Sequence, residues 1–450
     1  MSLREIIFVG WLIACLVLAV RRPFFGAVAI LVHFVLKETL VVETYGAFYD
    51  YPFFEPLYIA TFVGVLVNEM HRLNSFLPRT MVDWGMLSFL LVLVISASVN
   101  GVNIWGHKYI DLFLKATVMY FLLSRLADTP KRVLIAALAL VFSTGYLAYL
   151  AWDNHRQGYL IFARPYWFTQ WHEFGAQVII VLPLAGAMLR GRFRMALKIV
   201  LFVLVPLFFI VAIRTMSRSA MLGAFAGAGM LMWYYRRKWY VGVAVLPLLV
   251  YGLFHQTERT SERLESIWTH KLGEEEDLSI ASRIQQFHTA MNIINSHPLL
   301  GLGPRQYFVE YKLYVNPEDA EEDVSYTMHS VPLLILTEEG LLGFATYYGL
   351  IVLGSILAAR YAAKAALDSP ELEDVAVVAA GALMGYLAWC AFSLGQPTMW
   401  QINIYGTVAL VMAARFVTEA HFRERVAERA MEQPNPLWAA RQPSTEILFP

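Results

Sequence analysis

The stretch IVLFVLVPLFFIVAIRTMSRSAMLGAFAGAGMLMWYY, residues 199–235, decides the fold. Two apolar runs, 199–213 and 219–235, are joined by a turn of a few residues that carries Arg214 and Arg218. Each run approaches the length a helix needs to cross the ~30 Å hydrocarbon core of a bilayer. Inside lipid the backbone must satisfy its own hydrogen bonds, so such runs are helical. The stretch reads as a tight helical hairpin. A four-residue spacing puts Arg214 and Arg218 on one face if the turn continues helically. Two readings stay open for the pair: snorkelling to the interface, or cations held at a membrane edge for a purpose.

Runs of the same kind recur along the chain at 5–20, 24–37, 56–70, 82–99, 109–124, 133–152, 173–189, 239–255, 341–359, 375–394 and 401–417. The chain is 58% hydrophobic with a mean hydropathy of +0.52, far more apolar than a soluble domain. The expected fold is all-α, a polytopic helical bundle of about 12–13 spans. The formal net charge is zero, which argues against a nucleic-acid binder. Cys15 and Cys390 both lie in apolar runs and read as packing residues. The run Ile6–Val20 precedes Arg21-Arg22 without a small-residue cleavage site, so it reads as a retained helix.

Lysine and arginine in short loops set orientation. Basic loops at Arg21-Arg22, His71–Arg79, Arg125–Arg132, Arg190–Lys198, Arg236–Lys238 and Arg360–Lys364 follow alternate spans. The loops between them differ: Lys37–Pro56 is acidic, Trp152–Trp171 is aromatic, and 256–328 is long and acidic. The basic loops are therefore assigned to the cytoplasm and 256–328 to the other side. The membrane domain is expected over 1–420, and a partly disordered cytoplasmic tail over 421–450.

The polar stretch from Ser282 to Gly343 stands out against this background. Ile284, Phe287, Met291 and Ile294 recur at helical spacing, with Arg283 at the start. The run SHPLLGLGPRQYF follows, where Pro298, Gly301, Gly303 and Pro304 signal turns. Gly273–Asp277 reads as an acidic turn, and PEDAEED at 317–323 as a solvated charge run. From His329 to Ala359 an unbroken helix would be roughly 46 Å long, more than a bilayer core. Residues 329–340 are thus expected to be a separate short re-entrant or interfacial helix, with Pro332 in its first turn and Gly340 at its break.

Three pieces of the chain resemble the O-antigen ligase / O-antigen polymerase superfamily of bacterial inner-membrane enzymes. They are Ser217-Arg218-Ser219 opening a span, Arg283 leading through a helix into HPLLGLGPRQYF, and His329-Ser330 followed by a Leu-rich run and Glu339-Gly340 with Gly343. The run Arg22-Pro23-Phe24-Phe25-Gly26 resembles the exosortase-associated O-glycosylation ligase subgroup. The resemblance implies an inner-membrane, multi-pass, metal-independent glycosyltransferase of the inverting type, without a cofactor. The donor it implies is a glycan on undecaprenyl pyrophosphate. The acceptor is a hydroxyl on a lipid, a polysaccharide or a protein, reached on the periplasmic side. In that chemistry a histidine suits proton acceptance near neutral pH. Arginines suit the departing diphosphate, because their planar forks pair with its oxygens. His329, Arg218 and Arg283 are the expected catalytic residues, with Arg214, Glu339 and Arg305 in substrate binding or support. Polymerisation of lipid-linked repeat units is the alternative within this chemistry. A transporter or flippase is the alternative outside it, although no internal repeat is visible in the sequence.

Overall fold

The computed structural model describes residues 3–44, 54–156, 171–215, 217–235, 274–316, 328–396 and 402–432. The expected span 239–255, most of the aromatic loop, the charge run 317–323 and the chain beyond 432 lie outside the described residues. Every long element is a helix. They are α1 (Leu3–Arg21), α2 (Pro23–Thr44), α3 (Phe54–Asn68), α4 (Met81–Asn100), α5 (Ile104–Leu126), α6 (Pro130–Arg156) and α7 (Trp171–Met188). Then come α8 (Met195–Arg214), α9 (Arg218–Tyr234), α10 (Glu274–Ser296), α11 (Val331–Glu338), α12 (Gly340–Leu367), α13 (Glu373–Ser393) and α14 (Ile402–Glu432). Among the described residues five helices are long and apolar enough to cross a membrane, and four shorter apolar helices accompany them. The molecule is a polytopic helical membrane protein.

Helix α13 is the spine of the bundle. It packs on α7, α9, α12 and α14, and α14 in turn lies along α5. The large side chains Trp389, Tyr386, Tyr405, Tyr347 and Phe113 fill the space between them, all buried. Exposed Ile, Leu, Val and Phe side chains line the outer faces, as expected where the neighbour is lipid.

The basic turns gather at one end. Arg72 pairs with Asp128, and Arg132 lies over the Phe24 ring at 5.3 Å. Arg192 pairs with Glu373 at 2.5 Å, and Arg425 with Glu371 at 3.5 Å. Just inside this end Arg125 Nη2 meets Asp83 Oδ2 at 2.7 Å, while the Tyr120 hydroxyl donates to Asp83 Oδ1 at 2.6 Å. Both charges are buried and paired, which is how ionised groups persist in such surroundings. Asp83 also caps α4 reciprocally with Thr80. The run Arg22–Gly26 forms the α1–α2 turn at this same end, where the Phe25 N–H donates to the Arg22 carbonyl.

Three local expectations change. Helix α2 continues to Thr44, so the acidic loop begins later than Lys37: no glycine or proline interrupts the helix before Gly46. Glu274–Asp277 is the first turn of α10, so the helix starts where an acidic turn was expected. Arg214 and Arg218 do not share a helical face. Arg214 ends α8, Ser217 is extended (φ −87°, ψ 121°), and Arg218 begins α9. The Ser217 hydroxyl accepts from the Ala220 N–H at 3.3 Å, so the serine starts a new helix where continuation was the alternative.

Candidate functional site

At the end opposite the basic turns, two loops lock together. The Leu302 N–H donates to the Thr337 carbonyl at 2.9 Å and Gly303 N–H to Glu338 at 2.8 Å. In return Leu341 N–H donates to Pro298 at 2.8 Å and Leu342 N–H to Leu299 at 3.2 Å. This backbone clasp ties the PLLGLG run to the α11–α12 junction. Gly301 has φ +62° and Gly340 φ +68°, the left-handed region that glycine enters without strain. A β-carbon on Gly301 would overlap the Glu338 carbonyl, and one on Gly340 would overlap the Leu299 backbone. Helix α4 closes the clasp from behind: Ser96 Oγ donates to the Leu300 carbonyl at 2.6 Å and Asn100 Nδ2 to that of Gly301 at 3.1 Å.

Glu338 and Glu339 sit inside the clasp, 1% and 0% exposed. Burial pushes both carboxyls up, and the neighbouring Glu338 charge adds to the effect on Glu339. They stand at the far end of α11 from His329. The eight residues of that helix span about 12 Å. The acid pair therefore belongs to the clasp.

Arg305 is held in the same loop at φ +62°, unusual for a side chain of its size. Its guanidinium lies 4.6 Å from the Tyr109 ring and 5.8 Å from Phe308, and its carbonyl accepts from Asn103 Nδ2 at 3.3 Å. Arg214 lies over Trp152 at 4.9 Å. Each of these two arginines is thus seated on an aromatic face.

His329 opens α11 in a second assembly. Its N–H donates to Gln286 Oε1 at 3.2 Å. Gln286 comes from α10, whose inward face is polar: Gln285, Gln286 and Thr289 are buried with Ala290 and Ile293. The apolar stripe of the same helix, Ile284, Phe287 and Met291, faces outward. Arg283 stands one turn before Gln286 and is exposed. Burial and the Arg283 charge hold the imidazole below the usual histidine range, against a hydrogen bond with the Gln396 side chain. Neutral imidazole is the form that can accept a proton.

Gln396 follows α13 in a turn at Gly395. A β-carbon on Gly395 would overlap Ser219 Oγ, so this turn is pressed against the first turn of α9. Arg218 is the first residue of that helix; its side chain lies outside the described residues. The structure therefore gathers His329, Arg283 and the start of α9 around one locus. It seats Arg214 and Arg305 on separate aromatic platforms and encloses Glu339 in the clasp. Sequence reasoning missed Gln286 and Gln396. Gln286 carried a signal, lying one turn beyond Arg283 on the polar stripe; Gln396 had only the turn composition of Gly395-Gln396-Pro397.

Residues 199–348 match a family model described as O-antigen ligase. The O-antigen ligase match covers about one third of the chain and contains Arg214, Arg218, Arg283, Arg305, His329 and Glu339. It spans the α8–α9 hairpin, α10, the clasp and α11, and stops short of Gln396. Comparison with curated proteins returned no match.

Proposed function

We propose that this protein is an inverting glycan ligase that moves a glycan from a lipid-linked pyrophosphate, of the undecaprenyl type, to an acceptor hydroxyl. His329 takes the hydroxyl proton. The hydroxyl oxygen bonds to the donor's anomeric carbon as the carbon–oxygen bond to pyrophosphate breaks. The electron pair leaves with the phosphate. Arg218 and Arg283 are assigned to stabilise that departing charge. Fixed cations in a partly dry site need no reorganisation as the charge develops. Arg214 and Arg305 flank the donor, and Glu339 supports the clasp. Because these cations supply the charge, the chemistry asks for no metal.

The observation that carries the reading is the packing of His329 against Arg283-bearing α10 and the turn at α9, within the stretch similar to O-antigen ligases. The positive-inside rule assigns the basic end to the cytoplasm and the site to the periplasmic face of the inner membrane. The Arg22–Gly26 resemblance makes a protein hydroxyl the first acceptor to test.

The test is glycan transfer in a deletion strain complemented with His329→Ala at wild-type protein level. The expected loss is about 10²–10⁴-fold, the usual contribution of a positioned base. Unattached long glycan in the deletion strain supports ligation, whereas single repeat units would point to polymerisation. Full transfer by His329→Ala would overturn the reading.

A further inference from the structure

The loop that forms the clasp leaves a row of large apolar side chains uncovered. Leu299 and Leu313 are 60% and 78% exposed, and Phe308 and Val309 stand between them on the outer face of the short helix Tyr307–Glu310. Tyr307 and Tyr311 turn the other way and are buried. The row continues onto the first turn of α5, where Ile104 and Trp105 are exposed and a β-carbon on Gly106 would overlap the Pro304 carbonyl. Its neighbours fix its depth. Asn100, the last residue of α4, donates to the Gly301 carbonyl, and Leu342, near the start of α12, donates its N–H to the Leu299 carbonyl. Both helices are long and apolar enough to cross a membrane. The 20 residues of α4 rise about 30 Å, the thickness of the hydrocarbon core, so a loop bonded to its last residue lies at the core boundary. Val99 and Leu342, beside these bonds, are exposed as well, so the apolar surface of the two spans continues into the loop.

We propose that the outer face of Leu299–Leu313 is seated in the bilayer, in the leaflet opposite the basic turns. Its apolar side chains lie among acyl chains, and Arg305 and Lys108 lie at the depth of the lipid phosphates. An apolar patch of this size marks an interaction surface, and its continuity with two membrane spans makes lipid the occupant. The cations have the form such a position asks for. The Arg305 guanidinium lies 4.6 Å from the Tyr109 ring, and Lys108 Nζ lies 4.6 Å from the Trp105 ring. Tryptophan and tyrosine gather at membrane interfaces, and long basic side chains there reach from apolar surroundings to the head groups. On the helix itself Lys312 is exposed and suits the same reach, while Glu310 is half-buried. The inference stands on packing and does not need the ligase reading. Where both hold, a lipid-linked donor presents its pyrophosphate at the depth of Arg305 without leaving the bilayer.

The test uses the full chain in vesicles of phosphatidylethanolamine and phosphatidylglycerol, with Cys15→Ala and Cys390→Ala as background. A nitroxide is attached at Val309→Cys or, separately, at Leu313→Cys. Paramagnetic resonance then compares its collisions with oxygen, which concentrates in lipid, and with a polar nickel chelate, which stays in water. Leu91→Cys on the outer face of α4 gives the lipid reference, and Glu428→Cys near the end of α14 the water reference; both residues are exposed. A variant is read only where its thermal-unfolding midpoint in detergent matches that of the background chain, and either loop position suffices. The expected oxygen-to-nickel ratio at the loop matches that of Leu91→Cys and exceeds that of Glu428→Cys several-fold. A ratio equal to that of Glu428→Cys overturns the inference, because the face then meets water. A label shielded from both reagents overturns it too, because a protein surface, such as a second copy of the chain, then covers the face. Either overturning result leaves the proposed chemistry at His329 standing, and full transfer by His329→Ala leaves the seating standing.

Discussion

In the clasp, Leu299–Gly303 meets Thr337–Leu342 through main-chain hydrogen bonds and two left-handed glycines. In the adjoining pocket, His329 meets α10 and the Gly395 turn through Gln286, Arg283 and Gln396. The clasp has its polar groups turned inward and its acid pair enclosed. In the pocket Arg283 is exposed and the histidine is half-buried. The clasp, His329 and Arg283 lie within the stretch similar to O-antigen ligases, and the Gly395 turn lies beyond it. The contrast separates two duties. Glycine and proline positions hold the backbone in place, while the proposed chemistry falls to the histidine and arginine positions. Substitutions in the first should remove protein, and substitutions in the second should remove activity.

The sharpest separation is expected at Arg283. Arg283→Ala should lower glycan transfer by about 10²–10³-fold with protein level unchanged, the usual scale for one donor to a developing charge. The pH profile should move as well. Arg283 helps hold His329 low, so in the wild type the neutral, active ring persists below pH ~6.5. Without that cation the ring keeps its proton to higher pH, and the acid limb of transfer should shift upward. A profile that stays in place would mean that Arg283 does not act on His329.

Gly340→Ala attacks the other region. The left-handed backbone alone costs roughly 1–2 kcal/mol for a residue with a β-carbon, and overlap with Leu299 adds to it. A thermal-unfolding measurement in detergent should show clear destabilisation, with activity per folded molecule retained. Ser96→Ala should act in the same direction but less, by ~1 kcal/mol for one hydrogen bond to the Leu300 carbonyl. Normal stability in both variants would remove the clasp's structural role.

Much of the bundle was legible in the sequence, because a span is a local property. The apolar runs and the alternating basic turns mark helices and a common end, and the ion pairs of Arg72, Arg192 and Arg425 bring those turns together as the alternation requires. The pocket was half legible: His329 and Arg283 stand out as costly residues near lipid. What supports them does not stand out. Periodicity marks α10 as amphipathic but cannot tell which face turns inward, and here the polar stripe with Gln286 does. Gly301 and Gly340 read as two separate turns, since a backbone bond between distant loops leaves no side-chain pattern. Gln396 lies 67 positions beyond His329, and only the fold brings it back.

The central claim is that segments far apart in the chain meet around His329, and a cysteine pair tests it most directly. In a chain with Cys15→Ala and Cys390→Ala, Ser219→Cys is combined with Gly395→Cys, and oxidised membranes are read by mass spectrometry. The separation of 3.5 Å between a β-carbon on residue 395 and that of Ser219 suits a disulfide. The account predicts a cross-linked peptide joining the start of α9 to the turn after α13. Two reactive thiols that stay unlinked under oxidation would contradict it.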